Sequence, residues 1–148
     1  MKRYLFILVL STISFVGVFA QKNHNADQRA VRDEIMSYLK SEGYQPSIDE
    51  DGDIKFKRQG DIYFVSVSDK DTNPYYIRLA KYFSYGETVT KANIGRYAEE
   101  VNQYKTIKLV DGEKTFWLDS QMFVKSAYAF TSVFNRILQA MDAAESEF

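Results

Sequence analysis

Apolar residues recur at helical spacing from Ala26 to Glu42, where Val31, Ile35, Tyr38 and Leu39 form one stripe among Asp27, Arg29, Arg32, Asp33 and Lys40. This predicts an amphipathic helix, closed by Gly43 just past its end. The period then changes. The stretch YQPSIDEDGDIKFKRQGDIYFVSVS alternates apolar and polar residues with Gly52 and Gly60 as punctuation, and reads as three antiparallel strands.

Directly opposed residues in an antiparallel pair share a face, so parity restricts the register. A three-residue loop Glu50-Asp51-Gly52 sets Ile48 beside Ile54 and Pro46 beside Phe56, whereas a two-residue loop would set apolar against charged residues. Glycine then stands last in the loop, where a type I turn with a bulge needs a left-handed residue. The same reasoning predicts a loop Arg58-Gln59-Gly60, with Phe56 beside Ile62, Ile54 beside Phe64 and Lys57 beside Asp61. The strand from Ile62 to Val67 is apolar on both faces and is therefore expected to be central.

After the polar turn DKDTNP, alternation resumes from Tyr75 to Phe83 as a fourth strand. In TKANIGRYAEEVNQYK a helical stripe of Ile94, Tyr97, Ala98, Val101 and Tyr104 follows, weakened at Gly95 by ~1 kcal/mol relative to alanine. TIKLVDGEKTFWLDS reads as a second hairpin with a two-residue Asp111-Gly112 turn pairing Ile107 with Phe116. Phe123, Ala127, Phe130, Phe134, Ile137, Leu138 and Met141 then predict one long terminal helix before the acidic tail AAESEF. The expected order is α-β-β-β-β-α-β-β-α. It describes an α+β two-layer sandwich, an antiparallel sheet of five or six strands with helices on one face.

The first residues do not belong to that pattern. Lys2 and Arg3 precede an uncharged apolar run from Tyr4 to Phe19, and Val18-Phe19-Ala20 precedes Gln21, the arrangement of a secretory signal peptide with cleavage after Ala20. An uncleaved anchor is the alternative, since the run approaches the ~17 to 25 residues that span a bilayer. The expected organisation is a signal at 1–20, a polar disordered leader at 21–28 and a single α+β domain at 29–145. The product would be exported, periplasmic or secreted, with no membrane span after signal removal.

Losing Lys2 and Arg3 takes the basic count from 19 to 17 against 20 acids, a formal charge of −3. Such a balance provides no nucleic-acid footprint. The absence of cysteine removes disulfides and thiolate chemistry, so stability must come from packing, for which eleven Phe, eleven Tyr and one Trp suffice.

The same composition narrows the chemistry. The only histidine, His24, lies in the leader, which excludes Ser-His, Cys-His and histidine or thiolate zinc sites from the domain. The acidic stretch SIDEDGDIKF resembles a calcium loop, but with Gly52 at position six the closing ligand at position twelve is Arg58, a cation. A solvated turn is the better reading, even though Asp49 then faces Asp53, a like-charge pair. Glu99, Glu100 and Asp119 are available as hydrolytic carboxylates, but nothing in the spacing brings them together. Lys125-Ser126 is a chance neighbourhood rather than a dyad. No catalytic, metal or cofactor site is expected.

The second face of the sheet is the remaining candidate. If Ile54, Phe56, Ile62 and Phe64 meet the helices, Tyr63, Val65 and Val67 point away, and Tyr76, Ala80 and Tyr82 continue that surface. Tyr63, Val65, Tyr76 and Tyr82 are therefore the candidate partner-binding residues, on the principle that contiguous exposed apolar area marks an interaction site.

A helix running into YLKSEGY, the hairpin DEDGDIKFKRQGDIYFVSV, AEEVNQ before a strand and a long final helix together resemble the YbjN family, over about residues 30 to 145. Its members share the fold of type III secretion chaperones. The resemblance implies a protein-binding α+β domain, often a dimer, without catalysis and with no ligand residues to carry over. The signal peptide departs from chaperones that act in the cytoplasm. The expectation is an exported, non-enzymatic chaperone-like or adaptor module binding a protein partner or itself as a homodimer. The alternatives are a small exported binder of an apolar ligand such as a lipid, held between sheet and helices, and a carboxylate-dependent hydrolase.

Overall fold

The computed structural model of the chain describes residues 23–148. The expected signal and its cleavage point lie outside the described residues. Helix α1 (Ala26–Ser41) begins within the stretch expected to be a disordered leader. The Asn25 side chain accepts from the Gln28 amide at 2.9 Å while the Gln28 side chain accepts from the Asn25 amide at 2.8 Å, a reciprocal cap. His24 is only 4% exposed, with Nε2 2.7 Å from the Val67 carbonyl, and buried Gln28 donates to the Asp71 carbonyl. The domain therefore begins near His24 rather than at residue 29, because these polar residues find backbone partners across the fold.

Strands β1 (Ser47–Ile48), β2 (Ile54–Arg58), β3 (Asp61–Val67) and β4 (Tyr75–Ser84) precede α2 (Ile94–Val101), and β5 (Lys108–Asp111), β6 (Thr115–Val124), α3 (Ala127–Thr131) and α4 (Phe134–Glu145) complete the chain. The six strands form one antiparallel sheet in the order β1-β2-β3-β4-β6-β5. The class is α+β, as the pattern predicts, and β3 is interior.

The first hairpin has the expected register, Ile48 opposite Ile54, with Gly52 at φ 86 closing its loop. The second does not. Phe56 pairs with Tyr63 and Ile54 with Val65, so the loop holds two residues, Gln59 and Gly60, at φ 54 and 97. Positive φ at both positions is the requirement of the mirror-image turn that matches strand twist, and a glutamine there does not announce it. One residue fewer in the loop turns every β3 side chain to the opposite face.

The third hairpin keeps the expected parity but moves its turn. Gly112 stays in the ladder, donating to the Thr115 carbonyl at 3.0 Å, and Glu113-Lys114 reverse the chain. A Cβ on Gly112 would stand 2.5 Å from the Thr115 oxygen and 2.7 Å from the Trp117 ring, so this glycine serves a close approach. The single terminal helix is also corrected. β4 pairs with β6 over ten residues, out to Tyr75 opposite Val124, which makes Phe123 a strand residue. Ser126 then caps α3, and the path tightens at Ser132–Val133 before α4.

The four helices of the described residues cover one face. Phe56 stacks on Tyr63 with centroids 5.3 Å apart and meets Phe134 of α4 at 5.8 Å. Ile35, Leu39, Val65, Ile77, Leu79, Leu118 and Phe130 are fully buried in the same core, each contributing about 1.5–3 kcal/mol of transfer free energy. Two ion pairs tie α4 to the sheet. Arg58 makes two 2.7 Å bonds to Asp142, and Lys81, 2% exposed, reaches Asp61 at 2.7 Å and Glu145 at 2.5 Å.

Candidate functional site

With Tyr63, Val65, Ile77 and Leu79 turned to the helices, alternation commits their neighbours to the opposite face. Register aligns Phe64 with Ala80, Ala80 with Asp119, Arg78 with Gln121, Tyr82 with Trp117 and Tyr76 with Phe123. Among the described residues, ring contacts on this face join sheet residues: Phe64 to Tyr82 at 5.5 Å, Tyr82 to Trp117 at 5.4 Å and Tyr76 to Phe123 at 5.2 Å. Among the described residues no helix packs against these rings. Tyr82 is 41% exposed and Phe123 63%.

An ion pair sits in the middle of these rings. Arg78 Nε donates to Asp119 Oδ1 at 2.8 Å, and Gln121 Nε2 donates to Oδ2 at 2.5 Å. The guanidinium carbon lies 5.5 Å from the Trp117 ring centre and 5.7 Å from that of Tyr82, within cation–π range. Burial works against the Arg78 cation, but the hydrogen bond and charge of Asp119 outweigh it and hold the pKa above the ordinary guanidinium value. Burial likewise raises the Tyr76 phenol, with Asp119 adding to the effect. Asp119 is 2% exposed on a face that no helix of the described residues covers, because the long side chains of its neighbours close over it. Arg78 Nη2 and Trp117 Nε1 are buried there without an acceptor among the described residues.

Two of the four expected partner-binding residues belong to this surface and two do not. Tyr76 and Tyr82 lie on it. Tyr63 and Val65, at 1% and 0% exposure, are core, a direct consequence of the shorter second loop. Sequence reasoning missed Arg78, Trp117, Gln121 and Phe123, and took Phe64 for a helix-facing residue. The signal was present in TFWLDSQMFV, where Trp117, Asp119, Gln121 and Phe123 alternate with period two. Reading Phe123 as helical concealed it.

The acidic turn is a turn. Asp49 Oδ1 accepts the amides of Asp51 at 3.1 Å and Asp53 at 2.8 Å, a local side-chain cap of the reversal. Among the described residues there is no group of three His, Asp or Glu side chains placed to hold a metal. Asp119 is paired with Arg78, while Glu99 and Glu100 stand exposed on α2, so the structure does not bring these carboxylates together. Ser126 caps α3 and Lys125 is exposed. Among the described residues no helix is long and apolar enough to cross a membrane. No protein-family model matches this chain, and no curated protein matches it.

Proposed function

We propose that this chain is an exported, non-catalytic module that binds another protein, or a second copy of itself, through the helix-free face of its sheet. The observation that carries this reading is the band of rings, Phe64, Tyr82, Trp117, Tyr76 and Phe123, left uncovered around a paired arginine. Aromatic residues and arginine are the side chains enriched where proteins meet, since they bury much area and keep a polar handle. The basic, apolar and small-residue order of residues 1–20 supports export, and the resemblance to the YbjN family supports a binding rather than a catalytic role. An apolar ligand between the layers is less well supported, because Phe56, Phe116, Phe130 and Phe134, each at most 2% exposed, fill that space.

The test uses Tyr82→Asp, which sets a charge in the patch without touching the core. Sedimentation at several concentrations reports self-association, and cross-linking in the native envelope followed by mass spectrometry reports a partner. The reading expects one of these associations in the wild type and its loss in the variant, with cooperative unfolding retained. Equal behaviour of the two proteins would overturn it.

A further inference from the structure

The sheet has an unfinished edge beside this face. β5 is four residues long and pairs only with Phe116–Asp119, whereas β6 runs ten residues and is paired with β4 throughout. Among the described residues, 120–124 thus have a strand neighbour on one side only. Two observations set the phase of their backbone groups. Gly112 donates to the Thr115 carbonyl, so odd-numbered residues of β6 point toward β5, and Ser68 donates to the Tyr76 carbonyl, so the odd-numbered residues of β4 face β6 and occupy its even-numbered ones. Gln121 and Phe123 therefore direct an N–H and a C=O each out of the sheet. Among the described residues these groups have no backbone partner.

A groove of about 540 Å³ lies along this edge, walled by Tyr104, Lys105, Ile107 and Lys108 on one side and by Met122 and Phe123 on the other. The wall does not pair with β6: the ladder of β5 begins at Lys108, and the segment before it leads back to α2, with Asn102 Oδ1 receiving the Leu109 amide at 3.0 Å on the outer edge of β5. Lys105 and Lys108 border the groove and Lys125 follows β6 directly. All three are exposed, and none has an ion-pair partner among the described residues. The acid nearest them on β6, Asp119, is neutralised by Arg78.

We propose that the uncovered half of β6 receives an extended segment of a partner protein, apolar at its centre and acidic at its flanks, as a seventh strand. The proposal rests on the protein-binding reading above and names the form of the bound segment. Main-chain hydrogen bonds to Gln121 and Phe123 fix it, the rings of Tyr76 and Phe123 and the side chain of Met122 meet its centre, and the lysines meet its ends. A second copy fits poorly here. In the antiparallel register that uses all of residues 120–124, Lys125 of one copy would abut Lys108 of the other.

The test uses protein purified from cells expressing the full chain and three capped peptides, EVTVTVE, EVTPTVE and KVTVTVK. EVTVTVE is expected to slow amide exchange at Gln121 and Phe123 and to bind more weakly as salt rises. The proline and lysine peptides, and the variant Lys105→Glu/Lys108→Glu with the original peptide, should each lose about tenfold in affinity, a difference of ~1.4 kcal/mol. Equal binding of the proline peptide, or unchanged exchange at Gln121 and Phe123 with EVTVTVE at about 1 mM, a binding free energy of about −4 kcal/mol, overturns the proposal. Tyr82→Asp separates the two readings. Association of whole proteins that is lost in Tyr82→Asp, with no edge protection by peptide, removes the seventh strand and leaves the binding face. Edge protection that persists while Tyr82→Asp alters no association supports the strand and removes the role of the rings.

Discussion

Replacing one member of the Arg78–Asp119 pair should destabilise the fold more than replacing both. Arg78→Met leaves a carboxylate that is 2% exposed with, among the described residues, only the Gln121 side-chain amide as partner. Breaking a buried pair costs about 3–5 kcal/mol, and the Gln121 bond places this case near 3 to 4. Asp119→Leu leaves the guanidinium instead, whose side chain is 22% exposed and can reach water, so the cost should be nearer ~2 kcal/mol. The double variant removes both desolvated charges and should return to within ~1 kcal/mol of the wild type. Urea unfolding is the assay. With a slope of about 2 kcal/mol per molar, the middle of the usual range, the single variants should lose ~1–2 M in midpoint. Trp117, the only tryptophan in the chain, lies against Arg78 and reports the site by its fluorescence. Additive losses in the double variant, or Arg78→Met within ~0.5 kcal/mol of the wild type, would refute the view that this pair is a coupled, desolvated unit.

The Lys81 ammonium is opposed by burial, but its hydrogen bonds to Asp61 and Glu145 outweigh that and raise its pKa above the ordinary 10.5. A raised cation stabilises fully below the unfolded pKa and loses its contribution as pH passes the folded one, so alkaline unfolding above about pH 10.5 should steepen in the wild type relative to Lys81→Met, as a chemical-denaturation series across pH would record. Gln59→Gly should raise stability by about 0.5–1 kcal/mol by relieving a positive φ, and a drop in thermal midpoint would count against the two-residue turn. Tyr63→Ser should cost about 3 kcal/mol or more and Tyr82→Ser less than ~1, with comparable losses in calorimetry contradicting the assignment of the first to the core and the second to the surface.

Period and punctuation in the sequence were enough for the α+β class, the positions of α1, α2 and the first five strands, and the first hairpin's register. These are local signals: alternation, helical spacing, and a glycine where a left-handed residue is needed. The pattern could not assign the faces of β3. Ile62 and Phe64 on one side and Tyr63, Val65 and Val67 on the other are equally apolar, so a single residue in the loop decided which set met the helices. Tertiary pairing also overrode helical spacing at Phe123, because β4 offers ten ladder positions and β6 pairs with all of them. The candidate surface followed from these two choices: the period-two alternation of TFWLDSQMFV was legible but competed with helical spacing, and the facing of β3 depended on the loop length alone.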